Sequence, residues 1–239
     1  MNKLTVETTL PLLEAHKLVE PIVTNRLIIR LIRLRDIEGF HALYSQPEVR
    51  ALAFLGGLRP EFDITHNFIA LIENLRPWVD KKLDFSILLR TPDGGEGEFI
   101  GLLSMKLGDD WPRVSYMLRS EYWSRGYMTE GLTGFLQFWW GLPRTFAHLE
   151  VSSASLDASE IRPHSIIASE RVLAFIEKPN RASRNVLRKA DFVPIPRQNA
   201  AINDLEAFVN VFPAAQTSPE TYRKKYWGVE GEDNDVIMT

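Results

Sequence analysis

The residues best suited to chemistry in this 239-residue chain lie in the stretch Glu121-Tyr-Trp-Ser-Arg-Gly-Tyr-Met-Thr-Glu130. This stretch follows a strand pattern at 113–119 and opens a helical pattern at 129–141. The first N–H groups of a helix have no partner inside it, and the helix dipole adds partial positive charge there. A strand that turns through Gly126 into a helix therefore predicts an anion site, typically for phosphate. An ordinary turn with a structural glycine explains the stretch equally well.

A second polar pair, Asn180 and Ser183, follows a run with the composition of a buried strand at 171–177. Asn180 is a good N-cap for a helix at 181–189. Ser183 lies in the first turn of that helix, where a polar side chain often has a purely local role.

Other candidate chemistries lack the context that they need. The glycine-rich loop at 91–98 joins one strand pattern to another, so it has no helix start to supply phosphate donors. The chain has no cysteine, and no serine lies in a glycine-flanked nucleophile turn. The histidines show no metal-ligand spacing, which predicts no metal site; they are His16, His41, His66, His148 and His164.

Composition narrows the class of protein further. A net charge of −3 predicts no binding to nucleic acid or to an anionic membrane. The N-terminus lacks the apolar core of a signal peptide, and no apolar run reaches the roughly 18 residues that a membrane span needs. We therefore expect a soluble, cytoplasmic protein.

The domain organisation follows from the same patterns. They predict a single α/β domain at 24–213, an N-terminal extension at 1–23, and a partly disordered acidic tail at 214–239. The extension would hold a short helix at 10–19. Residues 145–170 have the composition of a long loop or insertion, with one strand at 146–151.

Within the domain, strand and helix patterns alternate as a mixed α/β fold requires. Asp36 is placed to cap a first helix that ends before Pro47, and a second helix follows at 63–77. Gly131 and Gly134 interrupt the helix after the turn, which close packing against a sheet or a ligand would explain. The predicted strands cover 24–34, 85–90, 99–106, 113–119, 171–177, 192–194 and 205–212.

Three motifs occur in a fixed order along the domain: Thr24-Asn-Arg-Leu-Ile-Ile-Arg30, Tyr122-Trp-Ser-Arg-Gly-Tyr-Met-Thr-Glu130, and Asn180-Arg-Ala-Ser-Arg-Asn-Val-Leu-Arg-Lys-Ala-Asp-Phe192. Together they resemble the GCN5-related N-acetyltransferases (GNAT), and most closely the RimJ/RimL-like branch, which acetylates ribosomal-protein N-termini and small amines. That branch carries Tyr-Trp-Gly-Arg-Gly-Tyr-Ala-Thr-Glu at the second motif and Asn-x-x-Ser-x-x-Val-Leu-x-Lys-x-Gly-Phe at the third. The resemblance covers about 24–212.

The resemblance implies a mixed, twisted α/β sheet with helices on both faces, splayed between its fourth and fifth strands. Acetyl-CoA, or another acyl-CoA, would enter that gap as co-substrate. The glycine turn would hold the pyrophosphate, the end of the preceding strand would pair with the pantetheine arm, and the third motif would lie near the thiol. The implied cofactor-binding residues are Met117, Leu118, Arg119, Arg125, Gly126, Tyr127, Met128, Thr129, Glu130, Asn180 and Ser183.

The implied chemistry is direct transfer of acetyl from the thioester to a primary amine, carried by a small molecule or a peptide N-terminus. Ser183 is the candidate donor to the leaving sulfur, and Tyr116 is a second catalytic candidate that would line the acceptor site. Orientation and one backbone N–H could supply much of the rate. The partner is a small amine or peptide, and the protein would be a monomer or a homodimer.

The chain departs from the family pattern at several positions. Arg113 stands where the branch often has a glutamate base, and Glu98 and Glu177 are candidate substitutes. Met128 replaces a small residue and would crowd the pyrophosphate, and Asp191 replaces a late glycine. These departures leave a second function open, a catalytically weak acyl-CoA-binding or scaffold protein. The tryptophans that could line an acceptor pocket, or else belong to the core, are Trp78, Trp111 and Trp227.

Overall fold

The chain builds one large mixed sheet and a separate two-stranded sheet. The structure, a computed structural model, describes residues 3–13, 20–52, 82–157, 160–161, 166–195 and 205–211. Its strands are β1 (Lys3–Pro11), β2 (Ile22–Val23), β3 (Leu27–Leu31), β4 (Lys82–Arg90), β5 (Glu96–Lys106), β6 (Arg113–Leu118), β7 (Arg144–Ser152), β8 (Arg171–Glu177), β9 (Val193–Ile195) and β10 (Leu205–Val211). Its α-helices are α1 (Ile37–Tyr44), α2 (Pro47–Leu52), α3 (Tyr127–Gly141) and α4 (Arg181–Lys189).

The large sheet has the order β2-β3-β4-β5-β6-β8-β10-β9 and is antiparallel except between β6 and β8. These two strands run parallel and pair at a single position, Arg113 opposite Leu173. The Leu173 N–H donates to the Pro112 carbonyl at 2.8 Å. Beyond this point the strands separate, so a gap opens between their C-terminal ends. The predicted mixed sheet, splayed between the fourth and fifth predicted strands at 113–119 and 171–177, is confirmed.

Helices α3 and α4 cover one face of the large sheet. The inner side of α3 is apolar at helical spacing, which is why it packs on the sheet; its buried residues include Leu132, Phe135, Leu136 and Trp139. Gly134 faces the turn between β2 and β3, where a Cβ would come within 2.8 Å of Thr24 Cγ2. Close packing against the sheet edge therefore explains this glycine.

The opposite face is covered in two halves. Over β5, α1 and α2 bury an apolar cluster that includes Phe40, Leu43 and Val49, and Met117 of β6 packs against it. Over β8 and β10, the β1–β7 pair buries a second cluster that includes Val6, Leu149, Leu173 and Val209. Residues 113 and 117 share one side of β6, and residue 113 pairs with residue 173. Both coverings therefore lie on the same face of the sheet.

The strands β1 and β7 come from the predicted extension and the predicted insertion. They pair antiparallel from Lys3 opposite Ser152 to Pro11 opposite Arg144. The helix predicted at 10–19 is wrong at its start, because the residues at 10 and 11 belong to β1, and 14–19 lie outside the described residues. The predicted strand at 146–151 is confirmed and is longer at both ends. The domain boundaries stay a prediction.

Asp36 precedes α1 as predicted, but its side chain does not cap the helix. Its carboxylate accepts two hydrogen bonds from Arg30, at 2.7 and 2.8 Å, and one from the Ser86 hydroxyl. The reason is that Arg30 is only 1% exposed, and a buried charge needs a paired partner. Pro47 follows the end of α1 as predicted and itself begins α2. The helix predicted at 63–77 lies outside the described residues.

Candidate active site

The predicted anion turn joins β6 to α3. Gly126 has a φ of 79°, in the left-handed region that favours glycine, and α3 begins at the next residue, Tyr127. The Glu130 N–H donates to the Gly126 carbonyl at 3.0 Å and closes the first helical turn. The N–H groups of Tyr127, Met128 and Thr129 are left without a helical acceptor, and they suit an anion. The Glu130 N–H is therefore not free to bind a cofactor, although a cofactor contact through the backbone of Glu130 is predicted from the sequence.

Glu130 instead anchors the turn through its side chain. The carboxylate accepts hydrogen bonds from the Thr24 hydroxyl at 2.6 Å, the Arg26 N–H at 2.8 Å and the Arg26 Nε at 2.6 Å. Burial alone would raise the pKa of Glu130, but these hydrogen bonds outweigh burial and hold the pKa below its ordinary value. The carboxylate is therefore ionised at neutral pH.

Arg26 also contacts the turn directly. Its Nη1 donates to the Arg125 carbonyl at 3.1 Å, and its guanidinium carbon lies 4.4 Å from the centre of the Tyr127 ring. The exposed Arg125 guanidinium lies 5.9 Å from the ring of Tyr122. Two arginines therefore flank the N-terminus of α3, and they add positive charge to the site. Sequence reasoning gave no role to Arg26, whose partner Glu130 lies 104 residues away.

A charged network holds the segment before the turn. Arg119 donates to Glu98 at 2.6 Å and pairs with Glu121, and the Tyr122 hydroxyl also donates to Glu98. Gln46, after α1, donates to Glu121 at 2.7 Å. Burial, together with Glu98, raises the pKa of Tyr122 to about 12. The side chain of Arg119 thus fixes this segment. The cofactor contact predicted for Arg119 is one through its backbone.

The gap between β6 and β8 exposes the backbone of β6. The Arg119 N–H donates to the Ile100 carbonyl of β5 at 2.9 Å. Backbone groups of an antiparallel strand alternate between its two sides, so Met117 also faces β5, while Tyr116 and Leu118 face the gap. The Leu118 carbonyl accepts a hydrogen bond from the Trp123 Nε1 at 2.7 Å. The Leu118 N–H, by the same alternation, faces the gap. Of the predicted pantetheine-pairing residues, Leu118 has the suitable backbone orientation and Met117 does not.

The structure brings Tyr116, Ser183 and Asn180 together at this gap. Asn180 caps α4 as predicted, because its Oδ1 accepts from the Ser183 N–H at 3.0 Å. The Tyr116 hydroxyl donates to the Ser183 carbonyl at 3.2 Å, and burial raises the pKa of Tyr116, so it stays neutral. The Ser183 hydroxyl has no hydrogen-bond partner in the described part of the chain. It is therefore available to a ligand that binds beside α4.

Tyr116 points to the face covered by α3 and α4, because it packs with their core cluster. The other face of β6 leaves Arg113 and Ser115 exposed between the α1–α2 and β1–β7 coverings. Tyr116 therefore lies on the side of β6 opposite to Arg113 and Ser115, and its place in the acceptor site stays a prediction. Arg113 pairs with Asp110 at 2.9 Å and lies 5.2 Å from the Phe175 ring.

Neither candidate substitute for the missing glutamate contacts Tyr116 or Ser183. Leu103 is the β5 residue opposite Tyr116, so Glu98 lies five residues, or about 17 Å, further along β5. Glu177 ends β8, and its backbone carbonyl accepts the Asn180 N–H. Among the described residues, no carboxylate is bonded to the Tyr116–Ser183 pair.

Three departures from the family motifs have clear positions. Met128 is 6% exposed in the core beneath α3, so its side chain does not crowd the anion turn as predicted. Asp191 has a φ of 60°, and Ser124 has a φ of 59°. Both stand where the family motifs have glycine, and they are the described non-glycine residues with positive φ. Each therefore holds a backbone conformation that costs a side-chain-bearing residue about 1 kcal/mol.

The remaining candidates belong to the core or lie outside the described residues. Trp111 is 1% exposed, and its Nε1 donates to Ser155 Oγ at 2.9 Å, so it lines no acceptor pocket. Trp78 and Trp227 lie outside the described residues. Within the described ranges, no three His, Asp or Glu side chains cluster as metal ligands. None of the helices described is long and apolar enough to cross a membrane.

The sequence matches the family model for the acetyltransferase (GNAT) domain over residues 26–193. Because the match spans well over half of the chain, the protein belongs to the GNAT family. It is an N-acetyltransferase by class, as the three motifs predict. No curated protein matches the chain.

Solved structures share the fold at low sequence identity. A GNAT-family acetyltransferase from Bacillus anthracis has a TM-score of 0.56 at 15% identity, covering 81% of this chain and 99% of its own. RimL, a ribosomal L7/L12 alpha-N-protein acetyltransferase in complex with coenzyme A, has a TM-score of 0.56 at 15% identity, covering 82% and 99%. Spermidine N-acetyltransferase from Vibrio cholerae, in complex with CoA and spermine, has a TM-score of 0.53 at 10% identity, covering 79% and 96%.

Proposed function

We propose that the protein transfers an acetyl group from acetyl-CoA to a primary amine, carried by a small molecule or a peptide N-terminus. The observation that carries this proposal is the left-handed turn at Gly126, which precedes three N–H groups without a helical acceptor. The turn follows the C-terminal end of β6, the strand that forms one side of the gap. The turn suits a pyrophosphate, and the gap suits an extended pantetheine arm.

The residues at the gap can support a direct transfer. The Leu118 N–H faces the gap and can hold the extended arm through its backbone. As the amine nitrogen bonds to the acetyl carbon, the carbon–sulfur bond breaks and the sulfur needs a proton. The Ser183 hydroxyl can supply or relay that proton, and a backbone N–H on β6 can stabilise the negative charge that develops on the carbonyl oxygen. The amine passes its surplus proton to water.

The acceptor would reach the thioester from the open face of β6, beside Arg113 and Ser115. Two of the similar structures support an amine as the acceptor class. One is named for a protein α-amino group and the other for spermidine. Between these two kinds of amine, the described residues carry no preference.

A second function, acyl-CoA binding without efficient catalysis, is favoured by Arg113. This arginine stands where the branch often has a base, and no carboxylate among the described residues is bonded to Tyr116 or Ser183. A protein of this kind would bind acetyl-CoA and would not turn it over.

The test is release of free thiol from acetyl-CoA, measured with purified protein over a panel of polyamines and of peptides with free N-termini. We expect release that depends on one class of amine, together with a product heavier by one acetyl group in mass spectrometry. Binding of acetyl-CoA without thiol release over the whole panel would support the second function. Absence of both binding and release would contradict both.

A further inference from the structure

Arg26 lies against the anion turn although it belongs to a distant part of the chain. It precedes β3, and its backbone is held at both ends, by its N–H to Glu130 and by its carbonyl from the Arg90 N–H at 2.8 Å. The base of the side chain is therefore in a fixed place. The side chain remains 46% exposed, so a ligand can reach it.

The guanidinium of Arg26 uses its planar shape to span the turn. One edge donates from Nε to Glu130 at 2.6 Å, and Nη1 donates to the Arg125 carbonyl at 3.1 Å. The flat face covers the Tyr127 ring at 4.4 Å. These contacts join residues on both sides of Gly126. A lysine could keep the charge at this position, but its single ammonium cannot make the two bonds and the stacking contact together.

The outer nitrogen of the guanidinium lies beside the glycine itself. Nη2 is 3.5 Å from the point where a Cβ on Gly126 would stand. It has no hydrogen-bond partner among the residues that the structure describes. It thus presents an N–H donor and a positive charge next to the open N–H groups of α3.

We propose that Arg26 is the positioning residue of the acyl-carrier site. It locks the turn at 125–130 in its anion-binding shape and directs Nη2 to the pyrophosphate of the bound carrier. This inference rests on the proposed function. It adds one residue to the proposed site: recognition of the phosphates of acyl-CoA depends on Arg26, which lies 99 residues before Arg125 of the turn.

The test compares Arg26→Gln and Arg26→Lys with wild type, using calorimetric titration with CoA. Arg90→Gln is the matched control, because Arg90 donates to the Thr24 carbonyl in the same turn of the chain and, in the part of the chain that the structure describes, makes no hydrogen bond or ion pair to residues 125–130. We expect Arg26→Gln to raise the Kd at least about 10-fold and Arg26→Lys about 5-fold, as expected for loss of charge-assisted hydrogen bonds. Arg90→Gln should stay within about twofold of wild type.

A second readout separates positioning from a purely structural role. Turnover is measured with acetyl-CoA and with S-acetyl-N-acetylcysteamine, a thioester that lacks all phosphates. We expect Arg26→Gln to raise the KM for acetyl-CoA with little change in kcat, and to leave kcat/KM for the phosphate-free donor unchanged. An unchanged Kd in Arg26→Gln, or an equal loss with both donors, would overturn the inference. If wild type itself failed to bind CoA, the proposed function would fall instead.

Discussion

At the scale of single residues, Ser183 is the side chain nearest to the proposed chemistry. Its backbone is held by Asn180 and Tyr116, and its hydroxyl has no hydrogen-bond partner among the described residues. We expect Ser183→Ala to lower kcat by about 10-fold or more, because a positioned proton donor contributes at least that much. The Kd for CoA should stay within about twofold of wild type. An unchanged kcat would remove Ser183 from the mechanism; Ser153→Ala, outside the gap, is the control.

Ser124 carries backbone strain beside the anion turn. Its φ of 59° is left-handed, and the family motif has glycine at this position. We expect Ser124→Gly to raise the free energy of unfolding by about 0.5 kcal/mol, since relief of strain exceeds the entropy that glycine adds to the unfolded chain. Urea unfolding measures this change. The control is Ser45→Gly, because Ser45 has an ordinary φ of −81° and its change to glycine should lower the free energy of unfolding. If the free energy of unfolding fell in both variants, Ser124 would be unstrained.

At the scale of elements, the packing of α3 on the β2–β3 turn places Glu130 near Arg26. A Cβ at Gly134 would lie 2.8 Å from Thr24 Cγ2, and the hydroxyl of Thr24 is held by Glu130. We expect Gly134→Ala to lower the free energy of unfolding by about 1 kcal/mol or more, because overpacking outweighs the better helix propensity of alanine.

The control for that variant is the same change at the end of the same helix. A Cβ at Gly141 meets no atom within 4 Å, so Gly141→Ala should be neutral or slightly stabilising. Thermal or urea unfolding of the two variants gives the comparison. Equal effects at both positions would contradict the close packing of α3.

The elements that were predicted correctly are those whose pattern is local. The strands at β4, β5, β6 and β8 and the helix α3 follow from periodicity and turn residues, and all of them are confirmed. The pairing of β1 with β7 joins segments about 140 residues apart, and neither segment has a strong pattern of its own. The role of Arg26 was missed for the same reason. Arg26 lies in the first family motif, but its partner Glu130 is 104 residues away, and only the packing of α3 on β3 brings the two together.

At the scale of the whole molecule, one buried ion pair links the β1–β7 sheet to α3 and to the residue that precedes β8. Arg144 of β7 pairs with Glu170 at 2.8 Å, and Thr9 of β1 donates to Glu170 at 3.3 Å. Arg144 also donates to the Trp139 carbonyl at the end of α3. Burial raises the pKa of Glu170 to about 7, against an ordinary value of 4.5, although Arg144 opposes the shift.

This shift makes stability depend on pH. Between about pH 4.5 and 7 the unfolded chain has lost a proton that the folded chain keeps on Glu170, so rising pH favours unfolding. Over that interval we expect wild type to lose up to about 3 kcal/mol of unfolding free energy relative to Glu170→Gln. Urea unfolding at a series of pH values measures the difference. Parallel profiles for the two proteins would show that Glu170 does not titrate in this range.

Calorimetric titration with acetyl-CoA shows whether the Gly126 turn binds the phosphates of an acyl-CoA. We predict binding by wild type and a loss of at least about 100-fold in Gly126→Glu, because backbone strain and a carboxylate against the phosphates together exceed about 2.7 kcal/mol. Gly141→Glu, at the other end of the same helix, should bind as wild type does. Equal affinity in Gly126→Glu and wild type, or no binding by wild type at millimolar ligand, would contradict the account.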